Sequence, residues 1–171
     1  MTIQSGAEVL LEQNDYEVRN LVDIVLSLSG VAMDMANIKR VPRYNEQCRE
    51  NNAEHSYMLG LVASEIIMEH FPDMDAGLGC QFAMVHDLPE LVTGDTPTFH
   101  LSAQQQQQKS QDEKNSMNIL RRRLPKHTYE LAERYEKQIE PEARLVRFAD
   151  KLLPVAVDIL GPGTKVMHED Y

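Results

Sequence analysis

The chain has 171 residues, enough for one domain with a hydrophobic core, and its two cysteines, Cys48 and Cys80, are too few for a disulfide framework or a thiolate metal site. Its 17 basic and 27 acidic residues give a net charge of −10, which repels a nucleic-acid backbone and argues against polymeric DNA or RNA as a partner. Because no apolar run approaches the roughly 20 residues of a membrane helix, and the N-terminal residues lack a signal-peptide pattern, we expect a cytoplasmic protein without a membrane partner.

Apolar residues recur at three- and four-residue steps through most of the chain, the spacing of amphipathic helices. This spacing predicts helices over about 16–36, 53–70, 75–88, 112–124, 127–138 and 141–160. Asn51 or Asn52 can cap the second helix, and Phe71-Pro72 ends it, because residues before proline avoid the helical region. Pro141 and Gly161 mark the two ends of the last helix.

The segments between these helices are polar or rich in turn residues. Residues 39–45 are basic and contain a proline, which predicts a connecting loop, and Thr93–Pro97 has the composition of a turn. The glutamine run Gln104–Gln108 is compatible with a solvated helix, but we favour a loop. No strand-like alternation is evident. The sequence therefore predicts an all-α helical bundle that forms a single domain over residues 1–171.

The stretch Phe82–Glu90 places His86 directly beside Asp87 inside an apolar run. His55 lies upstream at the start of one predicted helix, and Asp150 lies downstream within another. These two nitrogen and two oxygen donors suit one divalent metal, such as zinc, manganese, iron or cobalt. The site would lie between helices, and a metal with an open coordination position makes hydroxide near neutral pH, which favours hydrolysis.

Four further residues are candidates for handling a substrate. Glu90 follows His86 by four residues, and a carboxyl just outside the metal ligands can orient water or protonate a leaving alkoxide. Asp95, in the predicted turn, can accept from a sugar hydroxyl or from water. Arg43 is the best candidate for binding phosphate, because guanidinium binds phosphate oxygens in a bidentate manner. Tyr44 beside it can pack against a sugar or a base.

Taken one at a time, these residues have plainer interpretations. A lone buried histidine such as His55 is more often structural than a metal ligand, and the pair His86-Asp87 is more informative because buried polar groups need partners. Arg43 alone would be a solvated loop cation. The triplet Arg121–Arg123 is better explained as a solvated helix face than as a phosphate site. The functional interpretation therefore depends on the residues as an ordered set.

The ordered set resembles the HD-domain metal phosphohydrolase superfamily, whose pattern is H…HD…D, and most closely its 5′-deoxynucleotidase branch. The resemblance covers roughly residues 40–160. The stretches that carry it are Val41–Tyr44, Ala53–Ser56, Val85–Thr98 and Arg147–Leu152. A bare His-Asp dipeptide would be weak evidence, but Glu90 and Asp95 in a Thr-Gly-Asp-x-Pro-Thr setting make the match specific.

The resemblance implies a helical fold, a deoxynucleotide substrate and a homo-oligomer of at least two copies. The ligands of a single zinc, cobalt or manganese ion would be His55, His86, Asp87 and Asp150. Glu90 would be the catalytic carboxylate and Asp95 a second acidic residue near the substrate. Arg43 would bind phosphate. Tyr44 stands where the family often has a tryptophan that packs against deoxyribose, which puts the strictness of sugar selection in question.

Two other functions remain open at this point. A related group with the same ligand pattern hydrolyses dNTPs to a deoxynucleoside and tripolyphosphate, and in both reactions the bond between the 5′-oxygen and the α-phosphorus breaks. The basic residues Lys39 and Arg40 keep this triphosphohydrolase alternative open. The more remote alternative is a non-catalytic metal-binding helical protein. A purely structural zinc site would close all positions with histidine or cysteine and would not need Glu90.

Overall fold

In the computed structural model, the backbone is described for residues 6–94 and 103–161, and side chains are described for residues 17–94, 107–108, 111–112 and 115–161. The helices, in chain order, are α1 (Gly6–Asn37), α2 (Asn52–His70), α3 (Ala76–Val85), α4 (Glu90–Thr93), α5 (Ala103–Arg123), α6 (Lys126–Lys137) and α7 (Pro141–Leu160). A short antiparallel hairpin of β1 (Lys39–Asn45) and β2 (Cys48–Asn51) joins α1 to α2. The predicted all-α fold is confirmed, with this hairpin as its small β element.

The bounds of α2 and α7 follow the predicted signals. Asn51 caps α2 by accepting from the backbone N–H of Glu54, while the Glu54 carboxylate accepts from the backbone N–H of Asn51. This capping box satisfies two donors that a helix start leaves unpaired. Pro141 occupies the first turn of α7, and the helix ends at Leu160, directly before Gly161. Pro154 is accommodated inside α7.

Two predictions for the connecting segments are wrong. Residues 39–45 form strand β1 instead of a loop, and the pairing with β2 is irregular, with register shifts on both sides of the Arg43–Arg49 pair. These shifts, and the proline within β1, obscure the alternation that a regular strand would show. The Gln104–Gln108 run is helical, within α5, because glutamine is a good helix former.

The core is formed where α2, α3 and α7 pack together. Its fully or almost fully buried apolar side chains include Leu59, Ala63, Phe82, Ala83, Val146 and Ala149. Glycine allows α2 and α3 to approach closely, since a Cβ at Gly79 would lie 2.5 Å from Cδ1 of Ile67. This packing brings the start of α2, the end of α3 and the middle of α7 together.

The hairpin is fixed against the end of α7. A Cβ at Gly161 would lie 2.5 Å from the carbonyl oxygen of Arg43 and 2.9 Å from that of Val157, so glycine is required for this approach. In the turn of the hairpin, the side chain of Asn45 accepts from the backbone N–H of Gln47 at 3.0 Å. The hairpin therefore lies against the C-terminal end of α7. In the described ranges, none of the helices is both long and apolar enough to cross a membrane.

Candidate metal centre

His55 lies in the first turn of α2 and its side chain is fully buried. Its Nδ1 lies 3.3 Å from Oε1 of Glu50, and its Nε2 lies 2.9 Å from Oδ1 of Asp150. Because a carboxylate accepts hydrogen bonds, Glu50 favours the tautomer with the proton on Nδ1. With Nδ1 protonated, Nε2 either donates to Asp150, when the ring is charged, or offers its lone pair to a cation at the same point.

His86 directly follows α3 and is also buried. Its Nδ1 donates to the carbonyl oxygen of Ala83 at 2.8 Å, which leaves Nε2 as the acceptor nitrogen. Nε2 lies 3.0 Å from Oδ2 of Asp87 and 3.6 Å from Oδ1 of Asp150, but its geometry towards these oxygens is not that of a hydrogen bond. A buried imidazole nitrogen that faces two carboxylates without a hydrogen bond is suited to a cation.

The donor atoms of His55, His86 and Asp150 lie within 4.8 Å of one another. The two imidazole rings are 5.3 Å apart between centroids. Asp87 lies at the edge of this group, with Oδ2 3.0 Å from Nε2 of His86 and 2.7 Å from Nη1 of Arg40. The structure thus brings together the four residues predicted as metal ligands. The donor atoms of His55, His86 and Asp150 are mutually close, and Asp87 contacts this group through His86.

His55, His86, Asp87 and Asp150 form a cluster whose ionisable groups shift one another's pKa values. Burial lowers the pKa of His86, but the negative charges of Asp87 and Asp150 close to its Nε2 outweigh burial and raise that pKa to about 10. Burial raises the pKa of Asp150, but its hydrogen bond with His55 and the charges of His55 and His86 hold that pKa far below the usual range. Burial also raises the pKa of Asp87, but the positive charges of His86 and Arg40 outweigh burial and lower that pKa.

These observations fit a divalent cation. Two histidines have Nδ1 committed to an acceptor and Nε2 turned towards a shared point, and two carboxylates attract positive charge to the same point. Nitrogen and oxygen donors in this combination suit zinc, cobalt or manganese. The residues that would hold the ion are His55, His86 and Asp150, with Asp87 as the fourth.

A second group of polar residues surrounds the cluster, and sequence reasoning assigned it no role there. Arg40, on β1, lies with Nε 3.3 Å from Oε2 of Glu50 and donates through Nη1 to Asp87. Asn52 donates through Nδ2 to Oε2 of Glu90 at 2.6 Å. Glu50 and Asn52 have no exposed side-chain surface, although both residue types are usually exposed. Sequence periodicity gave no signal for these residues, because the register shifts and the proline within β1 obscure the strand alternation.

The remaining predicted residues have different surroundings. Glu90 begins α4, and its carboxylate accepts from Asn52, whose Oδ1 lies 3.4 Å from Nη1 of Arg40. Nη1 of Arg43 lies 3.5 Å from the carbonyl oxygen of Glu46, near the turn of the hairpin. Burial, together with the neighbouring carboxylates of Glu50 and Glu54, raises the pKa of Tyr44 above its usual range. Asp95 lies outside the described residues.

Tyr135 of α6 forms one wall of the cluster. Its ring packs edge-on against that of His86, with 6.1 Å between centroids, and its side chain is buried. Burial raises its pKa above the usual range, and the charges of Asp150 and Asp87 add to that effect. The cluster is therefore closed by α6 as well as by α2, α3 and α7.

Comparison with known proteins identifies the family. Among curated proteins, the 5′-deoxynucleotidase HDDC2 of Danio rerio is 32% identical over 128 residues, which cover 69% of this chain and 61% of the relative. The Bos taurus protein of the same name is 29% identical over 124 residues, or 68% of this chain and 59% of the relative. The chain thus spans about three fifths of the length of these relatives.

Two solved structures share the fold. One is described as a predicted metal-dependent phosphohydrolase from Magnetospirillum magnetotacticum MS-1, with a TM-score of 0.65, 21% identity and coverage of 80% of this chain and 73% of that chain. The other is a conserved hypothetical protein from Pyrococcus furiosus, with a TM-score of 0.55, 30% identity and coverage of 77% and 75%. The family model described as HD domain matches residues 35–169, most of the chain, and the chain belongs to the HD domain family.

Proposed function

We propose that this protein is a metal-dependent phosphohydrolase of 2′-deoxynucleotides, and specifically a 5′-deoxynucleotidase that converts a dNMP to a deoxynucleoside and phosphate. The observation that carries the proposal is the group formed by the buried His55 and His86 and the half-buried Asp150, whose donor atoms lie within 4.8 Å of one another. The similarity to proteins named 5′-deoxynucleotidase supports the choice of substrate. The proposal extends to one domain over residues 1–171.

The metal and Glu90 would have different roles in the reaction. A divalent ion held at the cluster would acidify water and offset phosphate charge. Glu90 would hold or transfer the proton at the reacting oxygens, because Asn52 orients its carboxylate at 2.6 Å and contacts the same arginine as Asp87. We therefore expect that substitution of Glu90 lowers the turnover rate and leaves metal binding unchanged.

Basic side chains of β1 would bind the phosphate. Arg43 is the residue that the resemblance assigns to this role. Arg40 supports the same role from a different observation, because its guanidinium contacts Asp87 at 2.7 Å and so lies directly beside the cluster. Tyr44 and Asp95 would contact the sugar. Comparing KM for dAMP in Arg40→Gln and Arg43→Gln tests which guanidinium holds the phosphate, since that variant will show the larger increase.

Product analysis tests the proposed reaction. Phosphorus NMR is recorded after the full chain, loaded with cobalt, manganese or zinc, is incubated separately with dAMP and dATP. Orthophosphate from dAMP is the expected result. Tripolyphosphate from dATP would instead establish the triphosphohydrolase alternative, for which the exposed Lys39 beside Arg40 offers positive charge further from the cluster. If neither nucleotide is hydrolysed, the proposed function is wrong and the non-catalytic alternative stands.

We also propose that the protein forms a homo-oligomer of at least two copies in the cytoplasm. The support for self-association is an apolar face of α1, formed by Val18, Leu21, Val22 and Val25, whose exposed fractions range from 49% to 62%. Their spacing places them on one side of the helix. Exposed apolar patches of this kind mark interaction surfaces. Light scattering of the full chain tests the oligomeric state.

A further inference from the structure

Glu50, the penultimate residue of β2, lies between the cluster and strand β1. Its side chain has no exposed surface. Burying a carboxylate is costly unless hydrogen bonds and opposite charges compensate for the lost water. Oε1 of Glu50 has a hydrogen-bonding partner and Oε2 has an ion-pair partner without hydrogen-bond geometry, and the two partners belong to different parts of the site. The position of Glu50 is therefore informative about how the site is assembled.

The first partner is His55. Oε1 of Glu50 lies 3.3 Å from Nδ1 of this histidine, and Nε2 on the opposite side of the ring faces Asp150 at 2.9 Å. A carboxylate at Nδ1 fixes both the tautomer and the rotation of an imidazole whose Nε2 binds a metal. Without it, the ring could adopt the other tautomer, in which Nε2 carries a proton and is not a ligand.

The second partner is Arg40. Oε2 of Glu50 lies 3.3 Å from Nε of this arginine, whose Nη1 lies 2.7 Å from Oδ2 of Asp87 and 3.4 Å from Oδ1 of Asn52. A continuous series of contacts thus runs from His55 through Glu50 and Arg40 to Asp87. It begins and ends at proposed metal ligands and passes through a guanidinium beside the cluster.

We propose that Glu50 is a positioning residue that holds a metal ligand with one oxygen and the phosphate-side arginine with the other. Through His55 it sets the affinity of the site for metal, and through Arg40 it sets the affinity for the nucleotide phosphate. The second part rests on the proposed function, whereas the first part requires only that the cluster binds a divalent ion. Glu50 itself touches neither the substrate nor the reacting atoms.

Substitution with glutamine separates positioning from simple packing, because glutamine has nearly the same shape. Its amide presents one acceptor and one donor group, so it can satisfy His55 or Arg40 but not both. If the amide nitrogen faces Arg40, the guanidinium is displaced and KM for dAMP rises. If it faces His55, the imidazole loses its acceptor and metal affinity falls. At least one of the two quantities is expected to change by about tenfold.

Glu142 provides a matched structural control. It is also a buried glutamate, and its Oε1 accepts from the backbone N–H of Asp75 at 2.9 Å, at the start of α3 and away from the cluster. Glu142→Gln is expected to lower thermal stability without changing metal affinity or KM. Glu50→Ala, which removes both contacts, is expected to weaken metal binding by about 10–100-fold and also to raise KM.

The test measures the dissociation constant and the visible absorption spectrum of bound cobalt(II), and KM for dAMP, in the full-length wild-type chain and these three variants. Tenfold weaker cobalt binding with an altered spectrum, or a tenfold higher KM, in Glu50→Gln but not in Glu142→Gln supports the proposal. Wild-type cobalt binding and KM in Glu50→Gln would overturn it, as would equal changes in Glu142→Gln. The cobalt measurements on Glu50→Ala need no substrate, so they decide the first part even if dAMP is not hydrolysed.

Discussion

The cluster buries polar side chains that are usually exposed, whereas the apolar face of α1 exposes side chains that are usually buried. Glu50, Asn52 and His55 are fully buried polar residues, whereas Leu21 and Val25 are apolar residues with 62% of their surface exposed. The buried polar groups have partners within the chain, at distances of 2.6–3.3 Å. The exposed apolar groups would gain stability only from a partner outside it. The proposed function assigns chemistry to the first region and self-association to the second.

The largest expected effect comes from removing the carboxylate shared by the two histidines. Asp150→Ala removes an oxygen that lies 2.9 Å from Nε2 of His55 and 3.6 Å from Nε2 of His86. Metal affinity is expected to fall by more than roughly 100-fold, the largest loss typical of removing a residue that only orients a metal ligand. Hydrolysis is expected to fall to background. The measurement is metal content after dialysis, with the exposed neighbour Lys151→Ala as control. Retention of a full equivalent of metal by Asp150→Ala would contradict the ligand assignment.

Glu90→Ala separates proton transfer from metal binding. The carboxylate is held by Asn52 and is not one of the proposed ligands, so we expect metal content to be unchanged and kcat to fall by about 10²–10⁴-fold. Asp87→Ala is the comparison, because it is expected to lose metal. Metal analysis and single-turnover kinetics are measured for both variants. Equal metal loss in the two would show that this division of roles is wrong.

Leucine truncation in the two regions tests the burial comparison. Leu59 is fully buried, and Leu59→Ala is expected to lower the free energy of unfolding by about 2–5 kcal/mol. Leu21 is 62% exposed, and Leu21→Ala is expected to change that free energy by less than about 0.5 kcal/mol in the monomer. Urea unfolding at low protein concentration measures both. A large loss in Leu21→Ala that grows with protein concentration would instead locate an interface at α1.

Gly161→Ala tests how the hairpin is held against α7. The added methyl group would lie 2.5 Å from the carbonyl oxygen of Arg43, so the hairpin has to move. Such overpacking is expected to cost about 1–3 kcal/mol in unfolding free energy. Gly30→Ala, where an added Cβ meets nothing within 4 Å, is the control. A Gly161→Ala protein as stable as Gly30→Ala would show that this close approach is unimportant.

The smallest effect is expected from charge on the apolar face of α1. Val25→Glu places a carboxylate on a surface that is already 62% exposed, so the stability of an isolated monomer is expected to change little. In an oligomer formed through this face, the same carboxylate would be buried without a partner and the copies would separate. Light scattering of wild type and Val25→Glu compares their molar masses. An oligomer of unchanged mass in the variant would exclude this face as the interface.

The main helices could be predicted because an apolar face, a capping residue or a helix-ending residue depends only on neighbouring positions in the sequence. The start and end of α2 and α7 could be predicted from Asn51, Phe71-Pro72, Pro141 and Gly161, each of which acts on its own neighbours. The hairpin was missed because its pairing is irregular and depends on contact with α7. The extension of helix through Gln104–Gln108 was missed because a polar run has no apolar face to reveal its period.

The four proposed metal ligands were predicted from residue type and order, and the structure brings them together. The surrounding contacts could not be predicted in this way. Arg40 and Asp87 are 47 positions apart in sequence, and Asn52 and Glu90 are 38 apart, so these pairs form only once the hairpin is folded onto the helices. The resemblance drew attention to Arg43, three residues beyond the arginine that contacts the cluster.

Titration of the metal-free full chain with cobalt(II), while phosphate release from dAMP is followed, tests the central claim most directly. Each addition would be assayed for orthophosphate and for the deoxynucleoside. The account predicts that turnover rises in proportion to added metal and stops rising at one equivalent per chain. Full turnover without metal would contradict a metal-dependent hydrolase, as would one bound equivalent with no phosphate release.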